Sequence, residues 1–403
     1  MPHGLTSPEP LTSAPRVWVL TGNKAGDNSQ VLALAEALGW PFEVKRFVNR
    51  RYEFIPNMVL GTTLVGIDRE QSSPLEAPWP DLVLSAGRRN EPVARWIKAQ
   101  APDQVRIVHV GRPWSSLDSF DLIVTTPQYR LPVRPNVLHN QTPLHRVTAE
   151  RLARDADRWQ ERLAHLPRPY VAVVVGGSSG PYSFDVRAAE RLAREASAQA
   201  AACGGSLLIT TSARTPLPTI DAMEEHLSVP ACLYRWTKDA PDNPYFAFLG
   251  LADEIIVTGD SMSMLTEACA TRKPVYIFDL GEGENAMRPS TVQAAAASRR
   301  ESRSGRRHIE GVHIKAFLYR QLMRFGPERL GRDIRIIHKH LVDSGRAVWL
   351  GERFPEDRSV PPLDCLSRAV TRVRALVEQP VSLPMSDDRT EVRVLQAAHH
   401  SAV

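Results

Sequence analysis

Two segments of this chain, one in each half, read as a buried apolar strand, a glycine turn and then a helix or a capped polar stretch. The first is RVWVLTGNKAGDNSQVLALAEALG, beginning at Arg16, and the second is YVAVVVGGSSGPYSFD, beginning at Tyr170. A strand that runs into a glycine turn before a helix presents backbone N–H groups able to hold an anion. Two such openings predict an α/β fold of two Rossmann-like domains, their parallel sheets facing a shared interdomain cleft. That layout suits an enzyme that brings a nucleotide-bearing donor to a second substrate. At 403 residues the chain also exceeds what one hydrophobic core ordinarily organises.

The apolar runs support this reading. In the first half they are VWVL at Val17, FEVKRF at Phe42, DLVLSA at Asp81, RIVHV at Arg106 and DLIVTT at Asp121. In the second they are YVAVVV at Tyr170, SLLITT at Ser206, CLYRW at Cys232, EIIVTG at Glu254 and PVYIFDL at Pro274. Short apolar runs with helices between them predict parallel strands covered on both faces. Val31, Leu34, Ala35 and Leu38 have helical spacing and Gly39 stops the helix. Asp27 and Gln30 form a D-x-x-Q capping pattern at its start. Further helices are predicted at Glu91–Gln100 (with Pro92 in the first turn), Val186–Gln199, about Pro327–Ser344 and Leu363–Val377. The LPRP stretch near His165–Pro169 breaks a charged helix that starts near Thr148. The expected division is therefore a disordered leader over 1–15, a first domain over 16–166, a second over 167–378 and a disordered tail over 379–403.

Composition narrows the functional classes. No stretch approaches the about 20 apolar residues of a membrane-spanning helix. The leader, rich in Pro, Ser and Thr, lacks the apolar region of a secretory signal. Cys203, Cys232, Cys269 and Cys365 form no C-x-x-C pair and lie in or beside apolar runs, as reduced thiols of a cytoplasmic protein do. The net charge of +5 fits an anionic partner without naming one. Much of the excess lies in SRRESRSGRRHIEGVHIK, Ser298–Lys315, which reads either as a solvated loop or as a peripheral contact with an anionic membrane at its inner face. Nucleic acid is not expected as a partner.

The segment ADEIIVTGDSMSMLTEACATRKPVYIFDL, Ala252–Leu280, is the strongest local signal. A strand meets the turn Gly259-Asp260-Ser261, and a helix follows with Ser261 or Ser263 near its start and Glu267 one turn in. Helix N-terminal amides and serine hydroxyls suit a pyrophosphate, and a carboxylate further on suits ribose hydroxyls. An ordinary capped βα unit with an exposed Glu reads the same way. In GGSSG, Gly177 allows close approach of a ligand, and Ser178 and Ser179 can donate to phosphate; many tight turns look alike. In the first half, Asp27 is either a helix cap or a general base, or both, and His109 is either a core histidine or a base. Asp27 is the preferred base because it lies in a loop. Gly22, Asn23 and Lys24 of the first loop, with Arg88, Arg89 and Arg112 at two further strand ends, are the candidates for an acceptor, although the arginines also fit a solvated loop. No D-x-D follows a strand and no His/Cys cluster has ligand spacing, so neither a metal nor another cofactor is expected.

The motifs VLTGNKAGDNSQ, PDLVLSAGRRNEPVARWIK, VHVGRPW, LITTSARTP, NPYFAFLGLAD and VTGDSMSMLTEA resemble the mitochondrial-fission ELM family. The second half also resembles the nucleotide-sugar domain of GT-B glycosyltransferases. The resemblance implies a GT-B-like fold, with Gly176, Gly177, Ser178, Ser179, Gly259, Asp260, Ser261 and Ser263 at the donor phosphates and Glu267 at the ribose. It brings Thr211, Ser212 and Arg214 over the donor. The function implied is a metal-independent glycosyltransferase taking a nucleotide-sugar to a lipid-linked or cell-surface glycan acceptor. A non-catalytic recruitment scaffold, as in organelle fission, and a nucleotide-sugar epimerase or hydrolase are the alternatives. The first loop lacks the His of the related peptidoglycan enzyme, so the resemblance supplies no general base.

Overall fold

Residues 14–50, 61–238, 240–281, 286–288, 332–355 and 360–378 are described by a computed structural model. The leader 1–13, the basic stretch 298–315 and the tail 379–403 lie outside the described residues, as does the start of the helix expected from Pro327.

In the first half the apolar runs form six strands, of which the inner ones have no polar face while the edge strand Phe42–Arg46 is largely exposed. Those strands are β1 (Val17–Thr21), β2 (Phe42–Arg46), β3 (Leu82–Ala86), β4 (Arg106–Val110), β5 (Leu122–Thr125) and β6 (Val137–His139). They make one 6-stranded parallel sheet of order β2-β1-β3-β4-β5-β6. β1, β3 and β5 are buried throughout, as helices on both faces require. The second half supplies β7 (Tyr170–Val174), β8 (Ser206–Thr210), β9 (Ala231–Tyr234), β10 (Glu254–Thr258), β11 (Val275–Phe278) and β12 (Val348–Trp349). Their order, also parallel, is β12-β11-β10-β7-β8-β9. This is the α/β architecture of two Rossmann-like domains that the sequence predicts.

Both orders reverse direction once, between β1 and β3 in the first sheet and between β7 and β10 in the second. Loops leaving the carboxyl ends of strands on either side of such a reversal diverge to opposite faces and leave a crevice. The two crevices carry the two glycine-rich openings.

Helix α1 (Ala25–Leu38) buries Val31, Leu34, Ala35 and Leu38 and ends at Gly39, left-handed at φ 70. It begins at Ala25, ahead of the expected capping pattern at Asp27 and Gln30. The reason is Asn28, which accepts from Gly22 N at 2.9 Å and donates back to Gly22 O at 2.7 Å, so the loop closes early. Helix α2 (Gly87–Gln100) likewise begins before Glu91, leaving Pro92 inside the helix. Asn90, buried, secures that start by donating to Leu20 O and Ala86 O.

Helix α3 (Ala149–Leu163), capped by Thr148, falls within 16–166 of the expected division, yet it packs on the second sheet. Leu163 and Leu166 join Tyr170, Leu208 and Phe248 in one buried cluster. Its partner is α6 (Tyr245–Leu251), which follows α4 (Val186–Ala202) and α5 (Leu217–Glu225) in the chain. Gly250 permits the approach, since a Cβ there would lie 2.7 Å from Leu152 O. Helices α7 (Met262–Ala270) and α8 (Arg335–Asp343) are the other helices of the second domain among the described residues.

The last described helix, α9 (Cys365–Glu378), falls within the 167–378 span expected for the second domain, yet it packs on the first. Cys365, Ala369 and Val373 enter the cluster of Val31, Leu34 and Leu122. Arg374 donates to Leu38 O at 2.8 Å, serving a terminal carbonyl of α1. Val373 is fully buried, so Val373→Ala is expected to cost about 2 kcal/mol in urea unfolding of the first domain. An unchanged midpoint would contradict the docking of α9.

Candidate functional site

At the second-domain crevice a buried carboxylate holds three loops together. Asp260, which follows β10, accepts from Thr258 Oγ1 at 2.7 Å and from Gly177 N, after β7, at 2.9 Å. Its Oδ2 lies 2.9 Å from Arg214 Nη2, which comes from the loop after β8. Burial pushes the Asp260 carboxyl up, and Arg214, Thr258 and the Gly177 amide oppose that push. The close contact explains the glycines. A Cβ at Gly176 would run into the Asp260 carboxylate, and one at Gly177 into the backbone carbonyl of Arg214.

This geometry reassigns several expected phosphate ligands. The amides of Gly176 and Gly177 are already bonded, to Thr258 Oγ1 at 2.8 Å and to Asp260. Ser178 Oγ accepts from Phe184 N, and Ser179 pairs with Tyr182, closing the GGSSG turn on itself. Ser212 Oγ donates to Gly176 O, and Thr211 Oγ1 turns toward Tyr234 O and Trp236 N. These residues build the wall of the crevice. The groups on its open side are the Arg214 guanidinium and the start of α7, with Ser261 at its N-cap and Ser263 beyond. Arg214 is additionally held by Ser178 O at 3.3 Å.

The turn Gly259–Ser261 is braced from α8. His338 Nε2 lies 2.7 Å from Gly259 O, so this nitrogen carries the proton, and the ring meets Trp349 edge-on. Burial lowers its pKa to about 4. At the other end of α8, Asp333 N donates to Gln128 O of the first domain, and its carboxylate pairs with Arg130 and Arg335.

Glu267 lies where the two domains meet. It is 5% exposed, with Oε1 accepting from Ser29 Oγ of α1 at 3.0 Å and Oε2 from the Tyr245 hydroxyl at 2.5 Å. Burial raises the Glu267 carboxyl, while Tyr245, Ser29, Arg146 and Arg151 hold it down. Close by, a Cβ at Gly26 would sit 3.3 Å from Ser263 Oγ, so the start of α1 rests on the start of α7. Arg146 and Arg151 both pair with Glu36 of α1. The two crevices therefore face each other.

In the first-domain crevice Asp27 is not the helix cap. The N-cap is Lys24, without a side-chain cap bond, and Asp27 lies in the first turn. Its carboxylate crosses the reversal between β1 and β3 and rests on Gly87, where a Cβ would run into Oδ2. Gly87 takes φ +76, a conformation that suits glycine. Asp27 remains partly exposed, yet the crowding around it raises its carboxyl above the ordinary range, with Lys24 and Arg332 opposing. His109, the other candidate base, is fully buried in the sheet, with Nδ1 2.9 Å from Ser85 Oγ and Phe120 against its ring. Burial lowers its pKa to about 4. Among the acceptor candidates, Gly22 is pinned by Asn28, Asn23 and Lys24 are exposed, Arg88 and Arg89 open α2, and Arg112 overlies Trp114.

Sequence reasoning missed Ser29, Tyr245, Arg332, Glu91 and His338. Tyr245 stands in the NPYFAFLGLAD motif, but its link to Glu267 is tertiary. Among the described residues no His, Cys, Asp and Glu group could hold a metal ion, and no helix is long and apolar enough to cross a membrane.

Two facing Rossmann-like domains, with a C-terminal helix returning to the first, define a GT-B-like α/β protein. Residues 25–300 match the family described as Mitochondrial fission ELM1, and the chain belongs to that family. It is 28% identical over 241 residues to the mitochondrial fission protein ELM1 of Arabidopsis thaliana, a match covering 54% of this chain and 56% of that protein. The chain thus spans little more than half the length of that relative. An uncharacterized protein of Rickettsia prowazekii is 25% identical over 65% of this chain and 82% of its own. Among solved structures, MurG of Acinetobacter baumannii aligns with a TM-score of 0.35 at 12% identity, covering 90% of this chain and 99% of that one. That likeness is too low to bear on the chemistry of the cleft.

The buried histidines set the acid response. His338 is neutral in the fold with a pKa of about 4, against 6.5 for an ordinary histidine. Between those values the unfolded chain binds a proton that the folded chain does not, so stability falls as pH drops through that window. His109 acts with the same sign. Asp27, Asp260 and Glu267, raised in the fold, act with the opposite sign. His338→Gln keeps a donor for Gly259 O and is expected to remove up to about 3 kcal/mol of the loss between pH 7 and pH 4. Urea titrations at both pH values measure it, and parallel losses in wild type and variant would refute the assignment.

Proposed function

We propose that the cleft binds a nucleotide-sugar and transfers its sugar to a hydroxyl acceptor without a metal. The observation that carries this reading is the meeting of the two crevices, with Asp27 on one side and Arg214 and the start of α7 on the other. In the reaction Asp27 takes the proton of the acceptor hydroxyl as its oxygen bonds to the anomeric carbon. The bond from that carbon to the nucleoside diphosphate breaks, and the leaving diphosphate takes up the electron pair. Arg214 and the amides of the first turn of α7 meet the charge that develops there. A carboxyl raised by crowding is a stronger base than an ordinary aspartate, which suits this role.

Glu267 contacts the ribose only when the domains part enough to release Ser29. An opening and closing cleft therefore belongs to the proposal. A peripheral contact of residues 299–315 with an anionic membrane belongs to it as well, for an acceptor carried on a lipid. A non-catalytic scaffold is the rival, and the match to a mitochondrial fission protein supports it.

A thermal-shift panel of UDP, GDP, ADP and CMP separates the two, because the transferase requires at least one ligand and the scaffold none. Asp27→Asn then tests the base. Removing a carboxyl that crowding disfavours is expected to leave stability unchanged or slightly higher. Release of nucleoside diphosphate from the nucleotide-sugar should fall by about 10²-fold or more, with nucleotide affinity retained. Full activity in Asp27→Asn would remove Asp27 from the chemistry.

A further inference from the structure

Beside Asp27 the wall of the first domain is built from cations stacked on aromatic rings. Two guanidiniums lie over the indole of Trp114, that of Arg112 at 4.9 Å and that of Arg88 at 5.5 Å from the ring centre. Arg112 also lies 5.6 Å from the ring centre of Tyr129, and Arg332 lies 6.0 Å from the same ring. Arg332 is close enough to Asp27 to favour its ionised form. Arg88 follows Gly87, against which the Asp27 carboxylate rests. The chain of contacts thus runs out from Asp27 and returns to it.

The loop that carries Arg112 and Trp114 is fixed from behind. Glu91, fully buried in α2, accepts from Trp114 N at 2.8 Å and from Ser115 N at 2.6 Å. Arg95 adds a 2.8 Å bond to Ser115 Oγ. The indole itself is 38% exposed, so the platform is rigid below and open above. Arg332 is oriented in the same way, by a 2.7 Å bond from Nε to Gln128 Oε1. A guanidinium stacked on a ring lies flat and projects its N–H edge past the ring, in the fork that an oxyanion accepts.

We infer that this platform binds a phosphate group of the acceptor and so brings the acceptor's hydroxyl beside Asp27. The inference rests on the transferase reading, because it names the chemical class of that reaction's acceptor. Three guanidiniums linked through the rings of Trp114 and Tyr129 offer more N–H donors than a carboxylate's two oxygens use, and so suit the several oxygens of a phosphate monoester or diphosphate better. The aromatic faces between them suit the apolar face of a sugar ring attached to the phosphate. A phospholipid headgroup and a soluble phosphate ester would supply the same group.

Inorganic phosphate is the first probe, titrated into the full chain while tryptophan fluorescence is followed. A saturable change is expected in wild type, and Trp114→Phe should lose it. Losing one charge-assisted fork should weaken phosphate binding about tenfold or more in Arg112→Gln and in Arg88→Gln, with nucleotide affinity within about twofold of wild type. Phosphate affinity unchanged in both arginine variants, or a change that Trp114→Phe retains in full, would overturn the inference. A chain that binds phosphate through these arginines but no nucleotide would overturn the transferase reading alone. Phosphatidylcholine vesicles containing phosphatidic acid separate the two sources. Co-sedimentation that Arg112→Gln weakens identifies a lipid-borne phosphate. Weakened phosphate binding with unaltered co-sedimentation identifies a soluble ester.

Discussion

The buried carboxylate of Asp260 organises the second domain's crevice. It sits at the reversal of strand order, where loops diverge and the backbone would otherwise be left without partners. By accepting from Gly177 N and Thr258 Oγ1 and pairing with Arg214, it ties the ends of β7, β8 and β10 into one wall. Taking a carboxylate out of water is costly unless hydrogen bonds and a cation compensate it, and all three are supplied here. Because Arg214 keeps a side-chain exposure of 44%, one end of the pair is buried while the other faces the cleft. The same contact that stabilises the loops therefore leaves a cation facing the cleft.

The two domains are joined through polar contacts of the same economy. Ser29 and Tyr245 share the Glu267 carboxylate, Arg146 and Arg151 share Glu36, and the start of α8 bonds to the loop of Gln128 and Arg130. Polar contacts of this kind can be exchanged for water or ligand at small net cost, because each bond lost is replaced. A large apolar interface could not open so readily. α9 supplies the apolar part by docking Ala369 and Val373 into the first core, so this helix is fastened while the cleft face stays exchangeable.

Strands and the two-domain plan were legible because burial on both faces leaves uninterrupted apolar runs, as in Tyr170–Val174. The α1 stripe from Val31 to Leu38 was legible for the same reason. The short edge strands β6 and β12, at 3 and 2 residues, carry too little pattern to detect. Helix starts were misread where an Asn side chain, half-buried Asn28 or buried Asn90, bonds back to an earlier backbone group. In the candidate site the structure gives several of the expected phosphate ligands other hydrogen-bond partners. Gly176 and Gly177 were read as phosphate donors because a glycine turn exposes amides, but the partner that takes those amides, Asp260, lies more than 80 positions away. Glu267 was read as a ribose ligand from its helix position, and no local signal announces Ser29 as its present partner. His109 has the residue type of a base, yet its strand position directs it into the core.

The proposed nucleotide site lies in the cleft, where Glu267 bonds to Ser29 of the first domain. Calorimetric titration of the full chain with whichever nucleoside diphosphate binds, in wild type and in Glu267→Gln, tests this most directly. Binding to wild type and a loss of about 1–3 kcal/mol in the variant are expected, because an uncharged amide is a poorer partner for ribose hydroxyls. Failure of UDP, GDP, ADP and CMP alike to bind wild type, or equal affinity in the two proteins, would contradict it.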